Sequence, residues 1–563
     1  MVVACALSTG LSGCGEVSPD AGAAADVIFV GDNIVTMDPD QPTVEAVAVR
    51  GETIVAAGSM DDVMVFEGAS TRVVNLGEQA LLPGFIDSHG HILFTGATLD
   101  QLSLHSPPVG DVNNVDDIVR KIREWIDEKD IPAGEIVIGG GYDDSLLDEG
   151  LHPTRYDLDR ASTEHPIALM HVSGHLRAVN SLALETSNIT AATVDPPGGH
   201  IRRVEGSREP NGVMEEGATG LVAGGFGDLG GGGDIDDVLR RTIDLYLSYG
   251  TTTIQNGGGT APETVAAFRA AAEREPLEAD IAAFTSIDAI VDESVEYDPS
   301  YTNGFRVAGV KFVLDGSPQG RTAWVTEPYH EGPPGVPADY VAYPRMDPEV
   351  YLSGASALVE RGVPFLAHAN GDAAMDLMIQ GVAEAVEGMD PMPDHRSVII
   401  HAQVMRADQL DQAAELNIVP SFFAAHTFFW GDWHVRSFGE ERGTNVSPAR
   451  WAIDRGVNFT IHNDAPVVPP DIMRLVSIAV NRKSRSGRVL GSHQRLTVME
   501  ALNAVTLGAA YQYFEEDRKG SITVGKQADL VILGESPLTA DPAKLEYLPI
   551  METFSRGRSV YQR

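Results

Sequence analysis

The sequence predicts an α/β fold: a (β/α)8 TIM-like barrel, with a small β-sandwich module built from both chain termini and an insertion after the first barrel strand. Two patterns carry this. Eight buried-type apolar runs alternate with segments of helical length, and continuous apolar strands joined by helices imply a parallel sheet. Short alternating strands punctuated by glycine occur at both chain ends, as a small β module requires. Periodicity alone also admits a doubly wound open sheet.

The elements follow in order. Residues 1–25 read as a signal and tether. Val2 to Leu11 is small and apolar like a signal h-region. It ends in Leu11-Ser-Gly-Cys14, which resembles a bacterial lipobox and implies lipidation of Cys14. Cys5 and Cys14 are the only cysteines, so the body has no disulfide and no thiolate metal ligand. Residues 26–82 and 515–563 form the composite sandwich, with strands at 26–30, 46–49, 53–56, 72–74, 520–524, 528–533 and 560–561. Residues 83–514 form the barrel. Its apolar runs are 81–87, 251–254, 279–284, 307–314, 363–367, 397–400, 418–423 and 457–461. Helices are expected at 235–249, 262–273, 348–361, 372–387, 406–416, 447–455 and 471–482. The insertion, about 100–230, carries a helix at 115–128 and glycine turns at 198–199 and 230–233.

Composition narrows the function. Hydrophobic residues make up 43% and charged residues 21%, which excludes a disordered chain. The net charge of −41 repels phosphate backbones and opposes both nucleic-acid binding and a basic membrane-surface helix. Beyond the short N-terminal stretch, no apolar run is long enough to span a bilayer.

Several barrel runs end in metal-type residues. Run one ends in His89-Gly-His91, run four carries Lys311 before Asp315, run five ends at His368, run six at His401 and run eight at His462-Asn-Asp464. In a barrel these ends converge on one face, where catalytic residues sit. Histidines at i and i+2 share a face and can reach one ion. Imidazole and carboxylate suit zinc, with nickel, iron or manganese as alternatives.

This pattern resembles the amidohydrolase superfamily, and within it the amidohydrolase-3 group of YtcJ-like and N-substituted formamide deformylase-like enzymes. The carrying segments are Leu82-Pro-Gly-Phe-Ile-Asp-Ser-His-Gly-His91, Val310-Lys-Phe-Val-Leu-Asp-Gly-Ser317, His368-Ala-Asn-Gly-Asp372, His462-Asn-Asp-Ala-Pro466 and Gly520-Ser-Ile-Thr-Val-Gly-Lys-Gln-Ala-Asp-Leu530. The resemblance implies two divalent ions, zinc first. His89 and His91 would bind one and His368 and His401 the other. Lys311 would bridge them as a carbamate, and Asp464 would bind the first ion and act as the base. A metal lowers the pKa of bound water towards neutrality, and a strand-end carboxylate can take its proton, which suits that chemistry.

His175, in Ser173-Gly-His-Leu-Arg-Ala-Val-Asn180, is a substrate-binding or oxyanion candidate. Asp315, Arg321, His426 and Trp430 are further substrate-site candidates, and His462 is a support for the ligands. The expected function is metal-dependent hydrolysis of a C–N bond other than a peptide bond: an amide, formamide, carbamate or cyclic amide. The alternatives are an ester or lactone hydrolase using the same site, or a catalytically inactive lipid-anchored binding protein. The expected partners are a small-molecule substrate, the membrane through the N-terminal lipid anchor alone, and a second copy in a homodimer; nucleic acid is not among them. The expected location is the bacterial periplasm or cell envelope, or the cytoplasm if the signal does not operate.

Overall fold

The computed structural model describes residues 24–222 and 234–563. Cys5, Cys14 and the 230–233 turn therefore lie outside the described residues. Eight parallel strands run in chain order through one sheet: Phe85–Ile86, Thr251–Thr260, Asp280–Thr285, Phe305–Val313, Phe365–Ala369, Val398–His401, Val419–Phe422 and Thr460–Ile461. The sheet curls until its two ends meet. There the backbone N–H of Asp464 donates to His89 O at 3.1 Å and that of His91 to Ala465 O at 3.0 Å. This is a TIM-like barrel. The helices fall within a few residues of the expected spans, among them Ile235–Ser248, Pro348–Arg361 and Asp372–Val386.

Two expected runs are corrected. The apolar run 81–87 is divided between two sheets. Ala80–Pro83 pairs antiparallel with Leu530–Leu533 of the terminal sheet, and Phe85–Ile86 opens the barrel. Gly84 makes the transfer, because a Cβ there would stand 2.6 Å from the Thr252 hydroxyl. The run 457–461 contributes only Thr460–Ile461 to the sheet.

Strands from both chain ends share one hydrogen-bonded sheet. Its spine runs from Arg558–Gln562 through Ile550–Ser555, Leu530–Leu533, Ala80–Pro83, Val27–Val35 and Thr43–Arg50 to Thr53–Gly58, with Arg72–Asn75 beside Val27–Val35. Phe29 and Phe554 stand three strands apart along this path, yet their rings meet at 5.2 Å, so the sheet is strongly curled. The strand expected at 520–524 is absent; that segment turns, and Ile522 N–H donates to Thr36 O. Ile550–Ser555 had no glycine-bounded alternation to mark it in the sequence.

The insertion builds a six-stranded mixed sheet from Leu102–Ser103 to Pro210–Glu216, backed by the helix Val115–Lys129. One face of this sheet packs on that helix through Val137, Ile167 and Leu169. The other face is turned towards the barrel mouth, where Asp143 accepts a hydrogen bond from Trp430 Nε1 and Glu216 one from Thr322.

A buried ionic cluster joins the terminal region to the start of barrel strands two to four. Lys519 Nζ contacts Asp280, Thr253 Oγ1 at 3.0 Å and Glu515 at 3.1 Å; Arg556 also pairs with Asp280, and Arg306 with Glu515 at 2.7 Å. Burial pushes the Asp280 carboxyl up, but Lys519 and Arg556 outweigh it and hold it below the usual carboxylate range. Its contribution to stability is therefore present above about pH 4 and is lost as pH falls through the lowered value. Removing one member leaves its partners buried without compensation. Asp280→Asn is expected to cost about 3–5 kcal/mol in urea unfolding at neutral pH, with the difference from the parent shrinking under acid conditions.

Candidate metal centre and its surroundings

Strand ends one, four, five, six and eight each deliver a donor. His89 and His91 follow Phe85–Ile86, Lys311 lies near the end of Phe305–Val313, His368 and His401 end their strands, and Asp464 follows Thr460–Ile461. Asp464 Oδ1 lies 3.0 Å from His91 Nε2 and 3.6 Å from His89 Nε2. Donors about 2.0–2.1 Å from a tetrahedral ion stand about 3.3 Å from one another, so this triad has the spacing of a divalent-metal site. Lys311 Nζ is 3.1 Å from His89 Nε2. His401 Nε2 is 3.0 Å from His368 Nδ1, and the His89 and His401 rings lie 5.6 Å apart. The six donors thus form one cluster, and the second imidazole pair adjoins the first.

The cluster is dry. His89, His368 and His401 are held neutral far below the ordinary imidazole range, first by burial and then by neighbouring positive groups, Lys311 among them. A neutral imidazole keeps a lone pair for a metal. Burial also pulls the Lys311 ammonium down to about 7, against the opposing pull of Asp464. Backbone strain marks the same place. His401 has φ 76° and Asp464 φ 56°, the left-handed region that side-chain-bearing residues seldom occupy.

Supporting groups aim the donors. Gln255 Oε1 bonds His89 Nδ1, while its amide donates to Ser88 O at 2.9 Å and to Tyr513 Oη at 2.7 Å. With Nδ1 engaged, Nε2 of His89 faces the cluster. Gly257 lets the ring in: a Cβ there would come within 2.5 Å of it. His462 Nε2 meets His401 Nδ1 at 3.1 Å, its Nδ1 meets Ser421 Oγ at 2.9 Å, and its ring stacks on Phe423.

The substrate-site candidates are placed differently from one another. His175, from the insertion, packs its ring 4.9 Å from that of His368, and Glu216 holds its Nδ1 at 2.7 Å. Asp315 is fully buried and its oxygens accept backbone N–H bonds from Trp324, Asn370 and Gly371, so it shapes the loops rather than lining open space. Arg321 is engaged by Glu331, Ser437 Oγ and Gly332 O and lies over Trp433. His426 sits behind Phe423, bonded to Gln319. Trp430 is buried and bound to Asp143 of the insertion.

Sequence reasoning passed over Gln255, Glu216 and a second grouping in the insertion. There Asp144 lies 3.0 Å from His171 Nε2 and 3.4 Å from His152 Nε2. Gln255 had one usable signal, a polar amide inside a buried strand.

The amidohydrolase family model matches residues 72–561. The chain belongs to the amidohydrolase family. It is 27% identical to YtcJ of Bacillus subtilis (strain 168) over 551 residues, covering 95% of this chain and 99% of that one. It is 25% identical to the N-substituted formamide deformylase of Arthrobacter pascens over 563 residues, covering 96% and 98%. An uncharacterized metal-dependent hydrolase of Pyrococcus horikoshii OT3 shares the fold with a TM-score of 0.70 at 21% identity, over 92% of this chain and 99% of that one. Within an amidohydrolase-family barrel, strand-end histidines are the expected carriers of function.

Glu216→Gln weakens the hold on the His175 ring without touching the six donors. The expected outcome is unchanged metal content by elemental analysis, with a loss confined to turnover or ligand affinity. Loss of metal in that variant would instead make Glu216 part of the metal-holding framework.

Proposed function

We propose that this chain is a metal-dependent hydrolase of a carbon–nitrogen bond: an amide, formamide, carbamate or cyclic amide. The observation that carries the reading is the meeting of His89, His91, Lys311, His368, His401 and Asp464 from five strand ends in one buried cluster. The relative named as a formamide deformylase supports the bond type.

In this reading His89, His91 and Asp464 hold one divalent ion and His368 and His401 a second, zinc being first choice for imidazole and carboxylate donors. When bound, such ions would lower the pKa of water towards neutrality and polarise the scissile carbonyl. The chain does the rest. Asp464 accepts the proton of the attacking water and delivers it to the leaving nitrogen. His175 is oriented through Nδ1 by Glu216, and in its protonated form its Nε2–H would donate to the substrate oxygen. Lys311, drawn down to about 7, has the neutral amine that carbamate formation with carbon dioxide needs, and the carbamate would give a bridging oxygen donor. We read the curled terminal sheet as the small sandwich module of 26–82 plus 515–563, and Cys14 as a lipid anchor holding the enzyme at the cell envelope.

The first test is elemental analysis of the chain without residues 1–25, paired with turnover of N-formyl and N-acyl amides before and after chelation. About two ions per chain with chelator-sensitive hydrolysis is the expected result. One ion would remove the bridge from Lys311, and absence of both metal and turnover after metal supplementation would overturn the reading.

The Lys311 role has its own signature. Its neutral fraction grows as pH rises through about 7, so stimulation of metal uptake by bicarbonate is expected to strengthen from about pH 6 to about pH 8. Lys311→Met is expected to abolish that stimulation. For the anchor, Cys14→Ala in the bacterial host is expected to move the protein from the membrane to the soluble fraction on fractionation.

A further inference from the structure

Asp144, His152 and His171 gather from three places in the insertion. Asp144 follows the strand Val137–Tyr142, and His171 ends the neighbouring strand Ile167–His171. His152 stands in the connection from Val137–Tyr142 to the helix Arg155–Asp159. Asp144 Oδ1 lies 3.0 Å from His171 Nε2, and its Oδ2 lies 3.4 Å from His152 Nε2. The strand-end triad has nearly the same spacing, with Asp464 Oδ1 3.0 Å and 3.6 Å from two Nε2 atoms. The ring pairs match as well. His152 and His171 stand 5.4 Å apart at 64°, and His89 and His91 stand 5.0 Å apart at 73°. All three members of the insertion triad are buried.

The far nitrogens are engaged too. Tyr142 Oη is 3.3 Å from His152 Nδ1, and Ser173 Oγ is 2.8 Å from His171 Nδ1. With Nδ1 held, each Nε2 is aimed at the carboxylate, the arrangement in which imidazoles ligate metals. Without an ion, Nε2–H of each ring donates to Asp144, and the Ser173 N–H reaches His171 Nδ1 at 3.2 Å. A cation at Nε2 shifts the ring proton to Nδ1, where Ser173 Oγ accepts it for His171 and Tyr142 Oη for His152. Each imidazole stays neutral through the exchange. Charge favours the cation. Asp143 brings a second carboxylate, its Oδ1 4.0 Å from His171 Nε2. Arg202, whose charge acts on Asp144 and His152, is already paired with Glu215.

The position gives an ion something to hold. Residues 143–154 contain neither helix nor strand. No cysteine lies near enough in sequence to staple them, since Cys5 and Cys14 are the only two. An ion joining Asp144 and His152 to His171 closes this connection onto the sheet, as metal clips do for long loops. Ser173 carries the order onward. Its Oγ also accepts the N–H of His175 at 3.2 Å, and His175 is the residue that meets His368.

We propose that Asp144, His152 and His171 form a further divalent-cation site, separate from the strand-end cluster, at which zinc pins the insertion. Two imidazoles and a carboxylate suit zinc before other ions. This site does not depend on the hydrolase reading. It shares no bridging group with a second ion, so it fills after the cluster, when zinc is supplied in excess.

The test is equilibrium dialysis of the whole chain against excess zinc, followed by elemental analysis. The wild type is expected to hold about one ion per chain more than either Asp144→Asn or His152→Gln. Thermal unfolding is expected to show a rise in Tm on adding excess zinc to the wild type and none in the two variants. Equal ion counts in the wild type and both variants overturn the site, and a lower Tm of the variants at equal counts makes the triad a hydrogen-bonded support instead. Should neither variant fold, diffraction at the zinc absorption edge from the zinc-soaked wild type decides. An anomalous peak among the three side chains supports the site, and its absence there overturns it.

Discussion

Two backbone hydrogen bonds, Asp464 N–H to His89 O and His91 N–H to Ala465 O, close the barrel between its first and last strands. Everything at the metal centre depends on that seam. Asp464 and the His89–His91 pair come from opposite ends of a long stretch of chain, and only closure sets the carboxylate 3.0 Å from His91. Asp464, whose N–H makes one of the two bonds, has a left-handed backbone, a strain that persists only where the surrounding structure holds it. Its counterpart at His401 turns that ring towards His368 and His462.

The same closure buries most of the donors, and that burial gives them their chemistry. Removing imidazoles from water disfavours their charged forms, and setting several side by side disfavours them further. The chain holds them neutral without surrounding them with acids; Gln255, Ser421 and His462 orient the rings with uncharged groups. Two carboxylates lie against the donors, Asp464 beside His89 and His91 and Asp315 with Oδ1 3.4 Å from His368 Nε2. Lys311 shares this environment, and its depressed basicity follows from the same burial.

Much of this was legible in the letters. Eight apolar runs separated by helical segments translate directly into a parallel barrel, because buried strands leave no polar alternation to confuse the reading. The histidines and Asp464 were legible because they stand at or just after the end of a run, where a polar residue after an apolar stretch has few other reasons to be, and Lys311 because it is a charged residue inside the apolar run 307–314. The supports were not. Glu216 and His175 belong to a different sheet from His368, and nothing in local spacing tells that the insertion folds back over the barrel mouth. Asp144, His152 and His171 likewise meet only through the pairing of strands. Asp315 shows the reverse case. It stands where a substrate contact was expected, but three backbone amides consume its oxygens.

The strand Ala80–Pro83 lies beside Leu530–Leu533, a partner from the other end of the chain. A ribosome makes the first of these strands long before its neighbour, with the whole barrel sequence between them. Until that sequence has emerged the earlier strands wait with an open edge, and the sheet can be completed only afterwards. For a chain arranged this way the strands that follow the barrel govern whether those that precede it have anywhere to go, and synthesis that stopped between the two would leave the earlier strands as an adhesive surface for other molecules.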